Sequence, residues 1–281
     1  MAESEVLRLP APAKLNLMLR VVGRREDGYH LLQTVFQFID RCDWITIRPA
    51  ADGQVRLKSP LPGVPEESDL TVRAAMALKA AAGVSQGALI EVEKNLPMGG
   101  GLGGGSSDAA TTLLGLNRLW RAGMSLDELK GLGLRLGADV PVFIDGYAAW
   151  AEGVGELLTP LDLSEPWYVV IAPRCHVATA DVFRHPDLTR NNPPITIREF
   201  LEGHQDNHCL PVVVGLYPEV AKAIADISQY SPGRLTGTGA CVFAEFGTEE
   251  AARQAVEALS PKWTVFAARG LNESPLRGAL S

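Results

Sequence analysis

The sequence lacks an excess of positive charge. Its 281 residues include 26 Lys and Arg against 33 Asp and Glu, which gives a formal net charge of -7. Proteins whose main partner is a nucleic acid usually carry a basic face that meets the phosphate backbone. We therefore expect no nucleic-acid partner, although local basic clusters could receive the phosphates of a small molecule.

Long apolar runs and paired cysteines are also missing. No run approaches the ~20 apolar residues that span a bilayer, so we expect no membrane partner. Met1–Glu5 lacks the charged-then-apolar pattern of a signal peptide. The four cysteines are scattered without a CxxC pair, which indicates reduced thiols and a cytoplasmic location. His204 and His208 stand four residues apart without a further ligand, so no metal site held by protein ligands is predicted.

Glycine is abundant, and six glycines fall within residues 99–105. A strand-like stretch, Ala88–Lys94, precedes them, and apolar residues at helical spacing follow from Ala109 to Trp120. Glycine tolerates positive φ and has no Cβ, so its backbone N–H groups can approach a ligand closely. The N-terminus of the following helix favours an anion. The order of strand, loop and helix predicts a phosphate site rather than a flexible linker.

Two known classes of glycine loop fit poorly. The Walker A loop needs Gly-Lys-Ser/Thr, whereas this loop ends in Gly105-Ser106-Ser107 without a lysine. The dinucleotide pattern G-x-G-x-x-G arises by chance in any stretch this rich in glycine, and it needs an acidic residue ~20 positions later. The loop alone therefore leaves the nucleotide fold open.

Polar residues alternate with apolar ones in a predicted strand near the N-terminus. Lys14 and Asn16 are expected on one face, because successive side chains of a strand point to opposite sides. The apolar set is expected to share the other face: Leu15, Leu17, Leu19 and Val21. This pattern suits a cleft that offers an ammonium and an amide, but it equally suits an exposed surface.

Three further polar residues are candidates for a site. Tyr29 and His30 end a turn-rich loop and could flank a planar ligand, although a surface loop explains them as well. Asp139 lies just before Pro141, beside a predicted strand at 140–143. It is either a turn residue or a buried functional acid.

Local signals place several elements. A helix is predicted over Asp69–Ala82 with Gly83 as its stop, and it packs through Ala74, Ala75, Leu78, Ala81 and Ala82. Ser125 and Glu128 form a capping-box pattern that opens another helix. Residues 146–154 are predicted to add a pair of strands, and residues 157–161 are a candidate domain boundary.

Several stretches of the chain resemble the motifs of the GHMP kinase superfamily, which includes galactokinase, homoserine kinase and mevalonate kinase. The stretches that carry the resemblance are Pro12–Leu17, Arg25–His30, Pro97–Ser107, Gly137–Phe143 and Leu235–Cys241. Together they are most similar to the members of the superfamily that phosphorylate a cytidine diphosphate sugar alcohol.

The resemblance implies an α+β fold of two domains with the active site between them. A nucleotide-binding domain would occupy residues 1–158, and a substrate domain of antiparallel sheet plus helices would occupy residues 159–281. The implied reaction transfers the γ-phosphoryl group of ATP to the 2-hydroxyl of the sugar alcohol, with Mg²⁺. The implied partners are these small molecules, and the chain is expected to be a monomer or a homodimer.

The resemblance also implies roles for individual residues. Asp139 would accept the hydroxyl proton, Lys14 would hold that carboxylate ionised and stabilise the transferring group, and Asn16 would orient the hydroxyl. The cytosine would meet Tyr29, His30 and Phe36, and the substrate side would be completed by Thr179 and by the turn from Thr236 to Gly239. The residues implied to contact ATP are Lys94, Pro97, Gly99, Gly100, Gly101, Leu102, Gly103, Gly104, Gly105, Ser106 and Ser107. Either Ser106 or Ser107 would meet phosphate or Mg²⁺.

Two sites at which the chain departs from its relatives carry no assigned role. Asp69 stands where relatives often carry Asn, and Asn207-His208 stands where an Asn-Asp pair is common. Asp108 is interpreted as an anion that opens the helix after the glycine loop. The alternatives are another kinase of the superfamily, acting on a phosphomevalonate or a sugar, or a nucleotide-binding regulator without catalysis. The Tyr29-His30 loop argues against the former, and Lys14 with Asp139 argues against the latter.

Overall fold

The structure is a computed structural model that describes residues 6–280, so the predictions for Met1–Glu5 lie outside the described residues. The strands are β1 Leu7–Arg24, β2 His30–Ala50, β3 Val55–Leu57, β4 Gly87–Glu93, β5 Ala149–Glu152, β6 Leu157–Pro160, β7 Trp167–Ala172, β8 Arg234–Leu235, β9 Val242–Phe246 and β10 Thr264–Leu271. The helices are α1 Leu70–Ala82, α2 Gly104–Leu119, α3 Leu126–Leu136, α4 Val140–Asp145, α5 Thr179–Arg184, α6 Ile197–Leu201, α7 Leu210–Leu216, α8 Pro218–Ile227, α9 Glu249–Leu259 and α10 Pro275–Leu280.

The long strand β2 organises the sheet. It pairs with β1 along one edge, and along the other it pairs in turn with β5, β10 and β4. The main path runs β3-β4-β2-β10-β7-β9-β8, and its pairs are antiparallel except for β3 with β4. The sheet therefore continues from the N-terminal half into the C-terminal half through β10.

A bulge at Leu17 interrupts the alternation of β1. Asn16 pairs with Phe36 and Met18 pairs with Val35, so Leu17 is an extra residue. Such a residue shifts the faces of everything that follows it. Leu15 and Leu17 lie in one apolar cluster, whereas Leu19 and Val21 lie in another. The prediction that these four share one face is therefore wrong.

Helices α1 to α4 cover the N-terminal part of the sheet. Asp69 caps α1 by accepting the N–H of Thr71, and Gly83 ends the helix in the left-handed region with φ of 63°. The capping box of α3 forms as predicted between Ser125 and Glu128. The packing face of α1 is smaller than predicted, because Ala81 is exposed at the last turn.

A predicted strand at 140–143 is a short helix instead. Pro141 stands in the first turn of α4, where its missing N–H leaves no hydrogen bond unmade, and Gly146 ends the helix with φ of 77°. Short apolar runs suit a buried helix as well as a buried strand, so the pattern could not distinguish them. Downstream, residues 146–154 contain one strand, β5, rather than the predicted pair, and its partner β6 lies in the stretch predicted as a domain boundary.

The C-terminal half combines antiparallel strands with helices. Strands β7, β9 and β10 pack against α7, α8 and α9 around a core that includes Val169, Val213, Ala223 and Ala255. The chain then returns to the N-terminal half, where Leu276 of α10 packs on Leu7 and Leu9 of β1. Among residues 6–280, none of the helices has the length and apolar character that crossing a membrane would require.

Candidate active site

Two cavities meet between the halves of the chain. The glycine-loop cavity, of about 570 Å³, is lined by residues 97–106 and by the start of α1. The hairpin cavity, of about 880 Å³, is lined by residues of β1 and β2, the loop that joins them, and α5. Five residues line both cavities: Gly101, Ser106, Asp139, Thr179 and Thr238. A ligand in one cavity would therefore reach a ligand in the other at this junction.

Lys14 holds the centre of the junction. Its side chain is 3% exposed, and Nζ lies 3.2 Å from Oδ2 of Asp139, which is 36% exposed. The same ammonium donates to Oδ1 of Asn16 at 2.5 Å and to the carbonyl oxygen of Gly101 at 3.1 Å. An ammonium has three N–H donors, so these partners fix its position. The structure thus brings the predicted Lys14, Asn16 and Asp139 together.

The Asn16 amide is oriented by its neighbours. Its Nδ2 donates to Oγ1 of Thr34 at 2.8 Å while its Oδ1 accepts from Lys14. Its backbone N–H donates to Oγ1 of Thr236 at 2.9 Å. Thr34 in turn donates to the carbonyl oxygen of Met18, which fixes the direction of its hydroxyl. Asn16 therefore presents a carbonyl oxygen of defined direction at the junction.

Glycine is required at two positions of the loop. Gly101 has φ of +77°, and a Cβ there would lie 2.4 Å from the carbonyl oxygen of Thr236. Gly103 has φ of +74°, precedes α2 as its N-cap, and would place a Cβ 2.7 Å from the ring of Phe143. Both conformations favour glycine and both sites lack room for a side chain. The loop can therefore present its backbone to the cavity at the N-terminus of α2.

The two serines after the loop differ in position. Ser106 lines both cavities, whereas Ser107 is buried in α2 with its Oγ unpartnered in the described part of the chain. The other residues predicted to contact ATP all line the glycine-loop cavity. Ser106 is therefore the serine placed to meet a ligand.

Lys94 is held by two carboxylates behind the loop. Its Nζ donates to Asp43 and, at 2.8 Å, to Oδ2 of Asp108. Burial acts to lower the pKa of Lys94, but the two carboxylates outweigh it and raise that pKa. Burial raises the pKa of Asp108 to about 7, against the opposing effect of Lys94. Asp108 thus acts as a partner of Lys94, which the interpretation as a helix-opening anion did not include.

The far end of the hairpin cavity is aromatic. The His30 ring stacks on Phe183 with centroids 4.9 Å apart and planes inclined by 23°. Nε of Arg190 donates to Nε2 of His30 at 3.2 Å, and its Nη2 donates to the carbonyl oxygen of Phe183 at 2.8 Å. Burial and the charges of Arg190 and Arg24 lower the pKa of His30. The imidazole is therefore neutral at pH 7 and accepts a hydrogen bond at Nε2.

The remaining predicted residues lie around these groups. Tyr29 is 63% exposed at the mouth of the hairpin cavity, and Phe36 lies under the Lys14 ammonium at 5.2 Å. Oγ1 of Thr179 is 2.8 Å from Oγ1 of Thr238. Gly239, predicted for the substrate side, lines the glycine-loop cavity. Asp69 lines that cavity too, but its Oδ1 is occupied by Thr71 as the cap of α1.

Sequence reasoning missed Phe183 and Arg190, whereas Thr238 belongs to the turn 236–239 predicted for the substrate side. Both missed residues lie in the C-terminal half, which β10 joins to the N-terminal half in one sheet. Phe183 stands four residues after the predicted Thr179, about one helical turn away. A helix predicted to begin at Thr179 would have placed Phe183 on the same face, and this is the signal that could have found Phe183.

Comparison with known proteins identifies the family to which the chain belongs. The family models for the GHMP kinases N terminal domain and the GHMP kinases C terminal match residues 69–147 and 187–264. The 4-diphosphocytidyl-2-C-methyl-D-erythritol kinase of Methylococcus capsulatus is 60% identical over 280 residues, which is 99% of this chain and 96% of the relative. The protein of the same name from Nitrosococcus oceani is 56% identical over 275 residues, 98% of each chain.

Solved structures give the same family. A crystal structure of 4-(cytidine 5'-diphospho)-2C-methyl-D-erythritol kinase superposes with a TM-score of 0.83 at 34% identity, covering 94% of this chain and 99% of that one. Homoserine kinase from Cytophaga hutchinsonii, with a TM-score of 0.71 at 16% identity over 98% and 96% of the two chains, shares the fold. The predicted two-domain α+β fold is confirmed, and the chain belongs to the 4-diphosphocytidyl-2-C-methyl-D-erythritol kinase family of the GHMP kinases.

Proposed function

We propose that the protein phosphorylates the 2-hydroxyl of 4-diphosphocytidyl-2-C-methyl-D-erythritol with ATP, giving the 2-phosphate and ADP. This reaction belongs to the non-mevalonate route to isoprenoid precursors. The observation that carries the proposal is the Lys14–Asp139 ion pair, 3.2 Å long, at the junction of two cavities. One cavity suits a nucleoside triphosphate, and the other ends in aromatic side chains on which a cytosine can stack.

ATP occupies the glycine-loop cavity. The backbone of residues 99–105 and the N-terminus of α2, a helix of 16 residues, receive its phosphates, because unpaired N–H groups and the helix dipole favour anions there. Lys94 lines the same cavity, where its ammonium is paired with Asp43 and Asp108. The γ-phosphoryl group then lies toward Gly101 and Ser106, which the two cavities share.

The cytidyl group occupies the far end of the hairpin cavity. Its cytosine stacks between Tyr29 at the mouth and the layer formed by His30 and Phe183. His30 is neutral and accepts from Arg190 at Nε2, so its Nδ1 carries the proton and can donate to a base carbonyl or ring nitrogen. A slot with paired polar groups discriminates strongly against bases that leave them unpaired.

The reaction takes place at the junction. The Asp139 carboxylate accepts the proton of the 2-hydroxyl while the hydroxyl oxygen forms a bond to the γ-phosphorus. The bond from that phosphorus to the β,γ-bridging oxygen breaks, and ADP is released. The Lys14 ammonium neutralises charge on the transferring group and holds Asp139 in place. Asn16 orients the hydroxyl through Lys14, because its Oδ1 accepts from the ammonium and holds that donor beside the reacting oxygen.

The junction fits a magnesium ion. Mg²⁺ prefers oxygen ligands and is usually held by one or two carboxylates together with substrate phosphates and water. Within residues 6–280, no three His, Cys, Asp or Glu side chains come together as a metal site, so the phosphates must supply most ligands. The oxygen donors in place are the Ser106 hydroxyl and the Asp139 carboxylate. When bound, Mg²⁺ would neutralise part of the phosphate charge.

The organisation of the chain follows from the same proposal. We assign residues 1–158 to the nucleotide domain and 159–281 to the substrate domain, with β10 and α10 returning to the first. The chain works as a monomer or homodimer in the cytoplasm, with ATP and the cytidyl substrate as its ligands.

A coupled assay of ADP release tests the proposal. Purified protein would be given ATP and Mg²⁺ with the cytidyl substrate, mevalonate or galactose in separate reactions. We expect turnover with the cytidyl substrate alone. Turnover with mevalonate or galactose instead would indicate another kinase of the superfamily, and ATP binding without any turnover would indicate a regulatory module.

A further inference from the structure

The turn Leu235–Gly239, here called the Thr236 turn, connects the groups of the junction. Oγ1 of Thr236 accepts the backbone N–H of Asn16 at 2.9 Å and donates to the carbonyl oxygen of Gly101 at 3.3 Å. Thr236 is fully buried, and a Cβ on Gly237 would lie 3.3 Å from Oδ1 of Asn16. The turn is therefore wedged between β1 and the glycine loop, and a shift of the turn would move both.

The side chain of Asn207 holds this turn from behind. Its Nδ2 donates to the carbonyl oxygens of Leu235 at 2.9 Å and of Gly237 at 2.8 Å, the two residues that flank Thr236. Its Oδ1 accepts the backbone N–H of Cys209 at 2.9 Å. All the hydrogen-bonding groups of the amide are thus engaged, and both of its donors serve the Thr236 turn.

Asn207 is itself anchored to β1, the strand that carries Lys14 and Asn16. Leu19 of β1 donates its N–H to the carbonyl oxygen of Asp206 at 3.0 Å, and its own carbonyl oxygen accepts the N–H of His208 at 2.8 Å. Nδ1 of His208 accepts the N–H of Val21 at 3.2 Å. The short segment 206–208 therefore lies against β1 as a fixed support, and Asn207 points from it to the turn.

We propose that Asn207 is a positioning residue for phosphoryl transfer. It touches neither cavity of the junction, but it sets the Thr236 turn and through it the relative placement of Asn16, Gly101 and Thr238. Transfer depends on the alignment of hydroxyl, phosphate and base, and a misplacement of about 1 Å costs about 100-fold in rate. The inference rests on the proposed function, because it concerns how that site is aligned.

The variant Asn207→Asp tests the proposal. Aspartate has the same shape but cannot donate, so a carboxylate would face two carbonyl oxygens and displace the turn. We expect kcat to fall about 10- to 100-fold, while KM for ATP and for the cytidyl substrate changes less than about threefold. The matched control is Asn117→Asp, the same substitution at a half-buried amide that donates to the carbonyl oxygen of Met124 at 2.9 Å and lines neither cavity of the junction. We expect its kcat within about twofold of wild type.

A double-mutant cycle tests the route of the effect. Thr236→Val removes the hydroxyl that links the turn to Asn16 and Gly101. If Asn207 acts through Thr236, then Asn207→Ala combined with Thr236→Val loses little more kcat than the worse single variant. Fully multiplicative losses would overturn the proposal, as would Asn207→Asp losing no more kcat than Asn117→Asp at an equal loss of Tm.

The test of Asn207 can fail or succeed independently of the test of the proposed function. Turnover of the cytidyl substrate by the wild-type protein tests the function, whereas the ratios between variants test the alignment. If wild-type protein turned over a different alcohol, the same ratios measured with that alcohol would still support or overturn the role of Asn207.

Discussion

The Nζ atom of Lys14 lies 3.2 Å from Oδ2 of Asp139, although the two residues come from β1 and from the turn before α4. No local pattern joins these segments. They meet because α2 and α4 pack on the β1–β2 hairpin and carry the start of α4 over the face of β1 that holds Lys14. The sheet thereby sets the distance between the base and its counter-charge.

Replacing the base is expected to abolish transfer but not nucleotide binding. Asp139→Asn should lower kcat by about 10³-fold, within the range that a lost general base costs, while Kd for a non-hydrolysable ATP analogue changes less than about threefold. Steady-state kinetics and calorimetry measure the two quantities. Asp145→Asn, at the other end of α4 where the carboxylate pairs with Lys130, is the control with near-normal kcat. Near-normal turnover of Asp139→Asn would exclude its role as the base.

A methyl group in the glycine loop should be far more harmful than one elsewhere. Gly101 and Gly63 have nearly equal φ, +77° and +76°, but a Cβ on Gly101 would lie 2.4 Å from the Thr236 carbonyl oxygen and one on Gly63 meets nothing within 4 Å. Both alanine variants carry the strain of positive φ, about 1 kcal/mol or more of unfolding free energy. We expect Gly101→Ala alone to raise KM for ATP at least about tenfold. Equal KM values in both variants would show that the close approach is unimportant.

Acid should weaken binding of the cytidyl substrate. The lowered pKa of His30 keeps the ring neutral, and protonation would place a third positive charge beside Arg190 and Arg24 and remove the acceptor at Nε2. Binding is therefore complete above about pH 6.5, the ordinary pKa of histidine, and is lost as the pH falls through the lowered value. KM for the cytidyl substrate, measured between pH 5 and 8, should rise at the acid end.

The variant His30→Asn identifies the titrating group. Asparagine keeps a hydrogen-bonding side chain that does not titrate. In this variant KM for the cytidyl substrate should be higher than in wild type at pH 8, but it should not rise further at low pH. An unchanged acid limb in this variant would assign the pH dependence to another residue.

The buried cluster of Asp43, Lys94 and Asp108 predicts that the folded protein loses stability as the pH rises. The pKa of Asp108 is raised to about 7 in the folded protein, against about 4 in an unfolded chain. The folded state therefore binds more protons between these values, and its stability falls as the pH rises through them. Asp108→Asn should therefore become steadily more stable relative to wild type from about pH 4.5 to 7, which means that its free energy of unfolding rises relative to that of wild type. Urea unfolding at several pH values measures the difference, and a difference independent of pH would contradict the raised pKa.

Features fixed by neighbouring residues could be predicted from the sequence. The cap of α1 by Asp69, its stop at Gly83 and the capping box at Ser125 involve contacts within a few residues. The glycine loop was also predictable, because a strand pattern and a helix pattern frame a run of glycines that can adopt positive φ and approach a ligand closely. In each case one short stretch contains both partners of the contact.

Features that need distant partners could not be predicted. The stack of His30 on Phe183 and the bonds of Asn207 to the Thr236 turn depend on strand pairing that no local pattern encodes. The helix at Val140 was mistaken for a strand because its apolar run is too short to show a period. The residues of the Lys14–Asp139 pair were anticipated through family resemblance, whereas each alone had an equally good surface interpretation.

Because β1 contains an extra residue, the number of residues in this strand is itself a determinant of activity. Because Leu17 shifts the pairing by one position, Asn16 and Leu19 both line the hairpin cavity although they are an odd number of positions, three, apart in the chain. Removing Leu17, or inserting one residue beside it, would turn every later side chain of β1 to the opposite side of the sheet and exchange the lining of the cleft for that of the core. This hairpin should therefore tolerate exchanges of one apolar residue for another between Lys14 and Leu19, but not a change in their number.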